Sequence, residues 1–269
     1  MIIINSNLNL SEKINLIDTN TVACIGFFDG IHKLHKKIMN KTKTISKKQN
    51  IKWVLITFSS KVDQFLKGID LSVYNSDIKY KLIESLYNPD FLIEVNIDYK
   101  TISTSKEDFC KYLKTILNVK YIVVGQDFKF GKNRLGDVKY LIKYFGRKNI
   151  ISFKRNKKYS TSYIRYLLIN GKIKKINKII GYNFPIIIKY LNNKFIIKST
   201  KLVFKDGFYI LKIKNLEYLV NFKNNEIFFK QTDLKSVFFD IILRCFYIVL
   251  IYPRIITLYK HYAYRHRGI

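Results

Sequence analysis

Two histidines three residues apart, His32 and His35, open a Lys-rich segment just after the turn Gly26-Phe27-Phe28-Asp29-Gly30. Residues of these types at this spacing suit the holding of a triphosphate. Glycines let backbone N–H groups approach phosphate oxygens, and a helix N-terminus favours negative charge. Imidazoles can donate to a transferring phosphoryl group, and positions i and i+3 share one helix face, so both rings can reach one ligand. Ile31, Leu34 and Ile38 form the apolar stripe that would anchor such a helix. A basic surface helix with two incidental histidines shows the same local pattern, because short Gly/His motifs recur by chance.

Three further segments carry usable groups. Gly125-Gln126-Asp127-Phe128-Lys129-Phe130-Gly131 offers a carboxylate, two aromatic faces and flexible backbone, able to grip a ribose and stack a planar ring. It reads equally as a strand-to-loop transition with a solvated Asp127. Ser160-Thr161-Ser162-Tyr163-Ile164-Arg165 places hydroxyls ahead of a predicted helix over Ile164–Ile169. Hydroxyls there cap helices; with Arg165 one turn in, they can also clamp phosphates. Thr57-Phe58 ends a strand, where Phe58 either lines the same rim or packs into the core.

These groups need a scaffold that gathers strand ends. Apolar runs at Val22–Ile25, Trp53–Phe58, Phe91–Val95, Tyr121–Gly125 and Ile150–Phe153 alternate with amphipathic stretches near Ile31–Lys48, Ile78–Tyr87, Lys106–Leu117 and Asp137–Tyr144. That order predicts an α/β fold with a mostly parallel sheet covered on both faces. Ligands of such sheets bind beyond the carboxyl ends of the strands. The loops at 26–30, 57–61 and 125–136 all follow strands, so they should share one rim. After Gly181 short strands separated by Asn-Asn, Asp-Gly and Asn-Asn turns predict a small antiparallel β module from about 184 to 232. Val237 to Tyr252 is very apolar but is interrupted by Asp240 and Arg244. It falls short of the ~20 residues of a membrane span and reads as a packed amphipathic helix, with those two residues as an i,i+4 pair. From Arg254 onward the chain is basic and aromatic, a composition that suits either a disordered tail or contact with an acidic surface. The expected division is 1–183 and 184–269.

Composition bounds the possibilities. The 269 residues are 48% hydrophobic with 20 Tyr and 20 Phe, enough to build a core. A net charge of +30 prompts a nucleic-acid reading. However, only eight of the 49 basic residues are Arg, and Lys, Ile, Asn, Phe and Tyr all have AT-rich codons, so genome bias gives the same charge. The lysines are spread along the chain, so no nucleic-acid partner is expected, although the charge would attract anionic nucleotides. Cys24, Cys110 and Cys245 have neither disulfide nor zinc-ligand spacing, and Cys24 reads as a core residue. No metal ligands are assigned. Met1 to Leu10 lacks a positive n-region and a cleavage site, so a cytoplasmic location is expected.

Gly26 to His35 resembles the G-x-F-D-G-x-H-x-G-H signature of the HxGH nucleotidyltransferases. The ordered set is similar to the adenylyltransferase module of bacterial FAD synthetase, the riboflavin kinase/FMN adenylyltransferase family. Besides Ile25–His35 it includes the G-x-D-F-x-F-G-K loop at Gly125–Lys132, Gly136-Asp137-Val138, and Ser160–Arg165, which resembles S-S-T-x-I-R. Asn170-Gly171 and Ile180-Gly181-Tyr182 echo the same family, and the likeness covers about residues 20–185.

The resemblance implies a Rossmann-like domain that transfers AMP from ATP, with Mg²⁺, to FMN, giving FAD and pyrophosphate. By the same likeness His32, His35, Ser160, Thr161 and Arg165 are the catalytic residues. Gly26, Phe27, Phe28, Asp29, Gly125, Asp127 and Ser162 would contact ATP, and Phe58 and Phe128 the flavin. Three departures stand out. Leu34 replaces the Gly between the histidines, Ser59-Ser60-Lys61 replaces Pro-His-Pro, and no Gly-rich, Pro-Thr-Ala-Asn kinase motif follows Gly181. No kinase activity is therefore expected, and the β module reads as a possible relic of the kinase barrel. Other readings are a nucleotidyltransferase with another phosphate acceptor, a basic nucleic-acid-binding protein on this scaffold, and an inactive relic.

Overall fold

The computed structural model describes residues 1–11, 17–154, 160–198, 200, 202–213 and 216–230, together with the backbone of 247–252. Two compact units result, Met1–Tyr163 and Ile164–Ile269. The expected amphipathic pair Asp240/Arg244 and the tail from Arg254 lie outside the described residues.

The first unit is built on strands β1 (Ile2–Ser6), β2 (Thr21–Ile25), β3 (Lys52–Phe58), β4 (Phe91–Val95), β5 (Val119–Gly125) and β8 (Ile150–Phe153). They form one parallel sheet in the order β1-β4-β3-β2-β5-β8. Its helices are α1 (Lys33–Gln49), α2 (Val62–Leu66), α3 (Ser76–Tyr87), α4 (Tyr99–Ile102), α5 (Lys106–Thr115) and α6 (Val138–Phe145). A two-stranded ribbon, β6 (Lys129–Phe130) and β7 (Gly136–Asp137), precedes α6.

Strand periodicity divides the core cleanly. Side chains alternate between faces, so Val22 and Cys24 join Trp53 and Leu55 under α1 and α3, with Ile38, Met39 and Ile83. Their neighbours Ala23, Ile25, Val54 and Ile56 join Phe109, Leu113 and Leu141 of α5 and α6 on the other face. All five residues of β2 are buried, as expected for the central strand of a sheet covered twice. From β2 the chain moves outward to β3 and β4, then returns to place β5 on the other side of β2. That reversal between β2 and β5 is a topological switch point, where the carboxyl ends of parallel strands leave a crevice. The edge strand β1 pairs with β4, a long-range match that no local pattern announces.

Helix starts follow capping chemistry. Asn75, Ser105 and Asp137 each accept a backbone N–H three residues on. His32 caps α1 through extended backbone only and makes no side-chain capping bond.

The second unit takes up the rest of α7 (Thr161–Ile169), then α8 (Ile173–Ile180), which sequence reading passed over despite its Ile173, Ile176 and Ile180 stripe. Strands β9 (Phe184–Leu191), β10 (Lys194–Ile197), β11 (Gly207–Ile213), β12 (Leu216–Lys223) and β13 (Glu226–Phe229) match the expected antiparallel module. Asn192, Asn193, Asn224 and Asn225 all have positive φ, as the tight turns of β9–β10 and β12–β13 require. One expectation is corrected: Tyr247–Tyr252 is a strand, β14, rather than the end of a helix. It pairs with both β9 and β11 and closes a barrel in the order β10-β13-β12-β11-β14-β9. Among the described residues no helix is long and apolar enough to cross a membrane.

The ribbon before α6 depends on close backbone approach. Gly131 has φ +70°, and a Cβ there would lie 2.8 Å from the Lys106 backbone nitrogen. Gly131→Ala should therefore lower the stability of the sheet unit by about 1–3 kcal/mol, read as a lower urea midpoint at unchanged slope.

Candidate active site

The loop joining β2 to α1 holds Phe28, Gly30 and Ile31 at φ of +51°, +78° and +35°. For a β-branched residue this is a strained backbone. Phe28 and Ile31 are both fully buried in the core under α1, which holds the conformation in place. Asp29 fixes the loop from its polar side. Its carboxylate, 1% exposed, accepts the backbone N–H groups of Val73 (2.8 Å) and Tyr74 (3.2 Å). Its carbonyl accepts the Thr161 hydroxyl at 2.9 Å.

This loop delivers the histidines. His32 is 4% exposed and stacks on His35, with ring centroids 3.8 Å apart and planes 18° from parallel. Phe28 backs the pair, its ring meeting that of His35 edge-on at 5.2 Å. The i,i+3 spacing thus brings both imidazoles together at the first turn of α1, beside the carboxyl end of the central strand. Leu34, where the resembling family has Gly, packs half-buried against the core under α1.

The other expected residues fall into three groups. Ser160 and Thr161 are both 7% exposed; Ser160 accepts the Tyr163 N–H as a helix cap, and Thr161 ties down Asp29. Ser162 is exposed at the first turn of α7, and Arg165 lies half-buried one turn further on, in the second unit. Phe58 and Phe128 pack against the opposite core, that of α5 and α6, with Phe128 stacked on Phe130 at 5.5 Å. Asp127 is exposed and turns back so that a Cβ on Gly125 would lie 3.0 Å from its Oδ1. Gly26 holds the loop to β3 through its N–H, which donates to the Ile56 carbonyl at 3.1 Å.

Sequence reading missed a second polar cluster on this rim. The Thr57 hydroxyl donates to the Phe27 carbonyl at 3.2 Å and receives Lys79 Nζ at 3.3 Å. Lys79 is only 4% exposed, with its ammonium 5.0 Å from the centroids of the Phe27 and Tyr80 rings. Lys61 approaches Phe27 too, at 5.2 Å. Lys79 lines a pocket of about 180 Å³ with Phe27, Asp29, Ser59, Asn75 and Ser76. Burial pulls the Lys79 pKa below its ordinary value, outweighing the nearby charges of Glu94, Asp29 and Asp70. A signal existed: Lys79, Ile83 and Tyr87 form one i, i+4, i+8 stripe, all buried, so a lysine stood on the apolar face of α3.

The buried thiols offer no nucleophile. Burial raises both, Cys24 most and Cys110 to about 12. Among the described residues no group of three His, Cys, Asp or Glu side chains is placed to hold a metal ion.

A twice-covered parallel sheet, with a loop and a helix start at its switch point, defines a Rossmann-like α/β domain. A family profile described as FAD synthetase matches residues 14–184, and the chain belongs to that family. A bifunctional riboflavin kinase/FMN adenylyltransferase of Buchnera aphidicola subsp. Schizaphis graminum is 33% identical over 188 residues, 65% of this chain and 59% of that protein. A Listeria monocytogenes protein named FAD synthetase is 35% identical over 124 residues, covering 45% of this chain and 49% of that one. The chain thus spans about half to three fifths of these two relatives. A solved structure titled macrolide-efflux protein from Streptococcus pneumoniae superposes with a TM-score of 0.71 at 21% identity, over 84% of this chain and 91% of that one, which shows the shared fold.

Two outcomes follow from the polar contacts. Asp29→Ala should cost about 2 kcal/mol or more, since it strands two buried N–H donors, and should speed hydrogen exchange at the Val73 and Tyr74 amides. Lys79→Met should raise the melting temperature, because a buried charge is removed. The folded state holds the Lys79 proton less tightly than the unfolded chain, so burial costs stability while the unfolded lysine is protonated. The variant's advantage should therefore be full below the lowered folded-state value and shrink as pH climbs from there to the ordinary value of 10.5.

Proposed function

We propose that the chain is an FMN adenylyltransferase, transferring AMP from ATP to FMN to give FAD and pyrophosphate. The observation that carries the reading is the stacked His32–His35 pair, held by a strained, buried loop at the switch point of the sheet. Backbone strain of this kind persists where the surroundings over-determine it, and it clusters at functional sites.

An oxygen of the FMN phosphate, already anionic at neutral pH, attacks the α-phosphorus of ATP in line. The new P–O bond forms as the bond to the β-phosphate bridge breaks, and that electron pair leaves with pyrophosphate. No covalent enzyme intermediate is needed, so positioning and charge neutralisation supply the rate. His32 and His35 hold the triphosphate and stabilise charge on the leaving pyrophosphate. Arg165 clamps phosphate, while Ser160 and Thr161 act by fixing α7 and the Asp29 loop. Phe58 and Phe128 are the aromatic surface offered to the flavin. Mg²⁺ arrives on the phosphates of ATP as part of the substrate.

The proposal includes no riboflavin kinase step. The chain after Gly181 has no Gly-rich Pro-Thr-Ala-Asn segment. The buried rings of Phe184, Phe204, Tyr209 and Phe222 pack on one another within the second unit.

The full chain incubated with FMN and Mg²⁺–ATP should form FAD, and with riboflavin in place of FMN should form neither FMN nor FAD. A His32→Ala/Arg165→Ala double variant should be slower by about 10³-fold or more. Absence of FAD at every FMN concentration, with ATP still bound, would move the reading to another phosphate acceptor.

A further inference from the structure

Lys79 is an expensive residue to place where it is. A buried ammonium loses its hydration and normally recovers it through a counter-ion and three hydrogen-bond acceptors. Here it donates to one neutral hydroxyl, Thr57, and rests near two aromatic rings. Among the described residues no carboxylate forms an ion pair with it; the acidic side chains nearby act on it only through space. Glu94 acts on it most strongly among these, and Asp29 uses its Oδ1 to accept two backbone N–H groups. A lysine that costs stability and opens onto a pocket is placed to meet an anion from outside.

Lys61 strengthens that reading. It ends the Ser59-Ser60-Lys61 segment and lies 5.2 Å from the same Phe27 ring that Lys79 approaches at 5.0 Å. Two ammonium groups from different elements, the start of α2 and the middle of α3, thus converge on one side chain of the β2–α1 loop. The pocket that Lys79 lines is walled by serine hydroxyls and Asn75, by the rings of Phe27 and Tyr74, and by the carboxylates of Asp29 and Asp70; Lys61 stands outside that lining, beside Phe27. A buried lysine, a second lysine beside Phe27 and a set of hydroxyls suit a phosphate carried on a polyol chain better than a flat heterocycle.

We propose that Lys79 and Lys61 form the subsite for the phosphate of the acceptor, so that the enzyme selects FMN over riboflavin by this charge pair. The proposal rests on the FMN adenylyltransferase reading and adds to it the group that orients the nucleophile. Lys79 holds the attacking phosphate while the histidines hold the departing one. The lysine of the Ser59-Ser60-Lys61 segment gives the altered loop a use in acceptor binding.

The test is a flavin-fluorescence titration of the full chain with FMN and, separately, with riboflavin. Wild type would be compared with Lys79→Met, Lys79→Arg and Lys61→Gln. Loss of one charge-assisted contact should weaken FMN binding about 10- to 100-fold in Lys79→Met and several-fold in Lys61→Gln. Riboflavin binding should stay within twofold, Lys79→Arg should recover part of the loss, and the KM for ATP should not move. Equal weakening of both flavins, or no weakening of FMN, overturns the subsite, because Lys79 would then act through packing alone. If wild type forms no FAD and binds neither flavin, the adenylyltransferase reading fails by itself. Thermal protection by inorganic phosphate then decides the subsite: lost in Lys79→Met it stands, and equal in both proteins it falls. Lys61→Gln, half-buried at the start of α2, gives the same comparison independently of the buried lysine.

Discussion

The Asp29 side chain is the constraint on which the site depends. Its carboxylate holds the Val73 and Tyr74 amides, and its own carbonyl receives the Thr161 hydroxyl. One buried residue therefore joins three segments that are remote in sequence: the loop after β2, the approach to α3 and the start of α7. A loop carrying left-handed Phe28, Gly30 and Ile31 is not favoured on its own. It persists because apolar burial secures it from below and this carboxylate ties it from the side. The histidines inherit their position from that bracing.

The same arrangement separates three environments along the carboxyl ends of the strands. On the α1 side, Phe28 and Ile31 surround the imidazoles with dry apolar packing. Between β2 and α3, Thr57 and Lys79 bring polar groups into an equally buried setting. On the α5/α6 side, Phe58 and Phe128 present half-buried rings. Strand alternation produces this sorting, since consecutive residues at a strand end face opposite ways. Three surfaces of different chemistry thereby lie along one rim.

Much of this was legible in the chain. Alternating apolar runs gave the strands and crossover helices, since a helix and a strand each need their own period to bury a face. The Asn-Asn turns were readable because few residues tolerate two successive positive φ values. His32 and His35 were found because their chemistry and spacing are local. What stayed hidden depended on partners distant in sequence. Tyr247–Tyr252 is apolar throughout, so neither period shows, and only the gap between β9 and β11 makes it a strand. Thr161 and Asp29 were read as site residues, and the backbone bonds that brace them emerged only with the fold. Lys79 sat in a Lys-Tyr-Lys run typical of a solvated helix face, and only its stripe with Ile83 and Tyr87 betrayed it.

Barrel closure by β14 also fixes an order of events during synthesis. Every strand of the parallel sheet precedes Lys154, so that sheet can assemble while the rest of the chain is still being made. The barrel has no such freedom, because β9 and β11 stay apart until β14 emerges to bridge them. In the interval the nascent chain carries a finished sheet followed by a β module with two unpaired edges, each a template for another strand. The ribosome-bound intermediate, rather than the mature protein, is where this fold is most exposed to wrong partners.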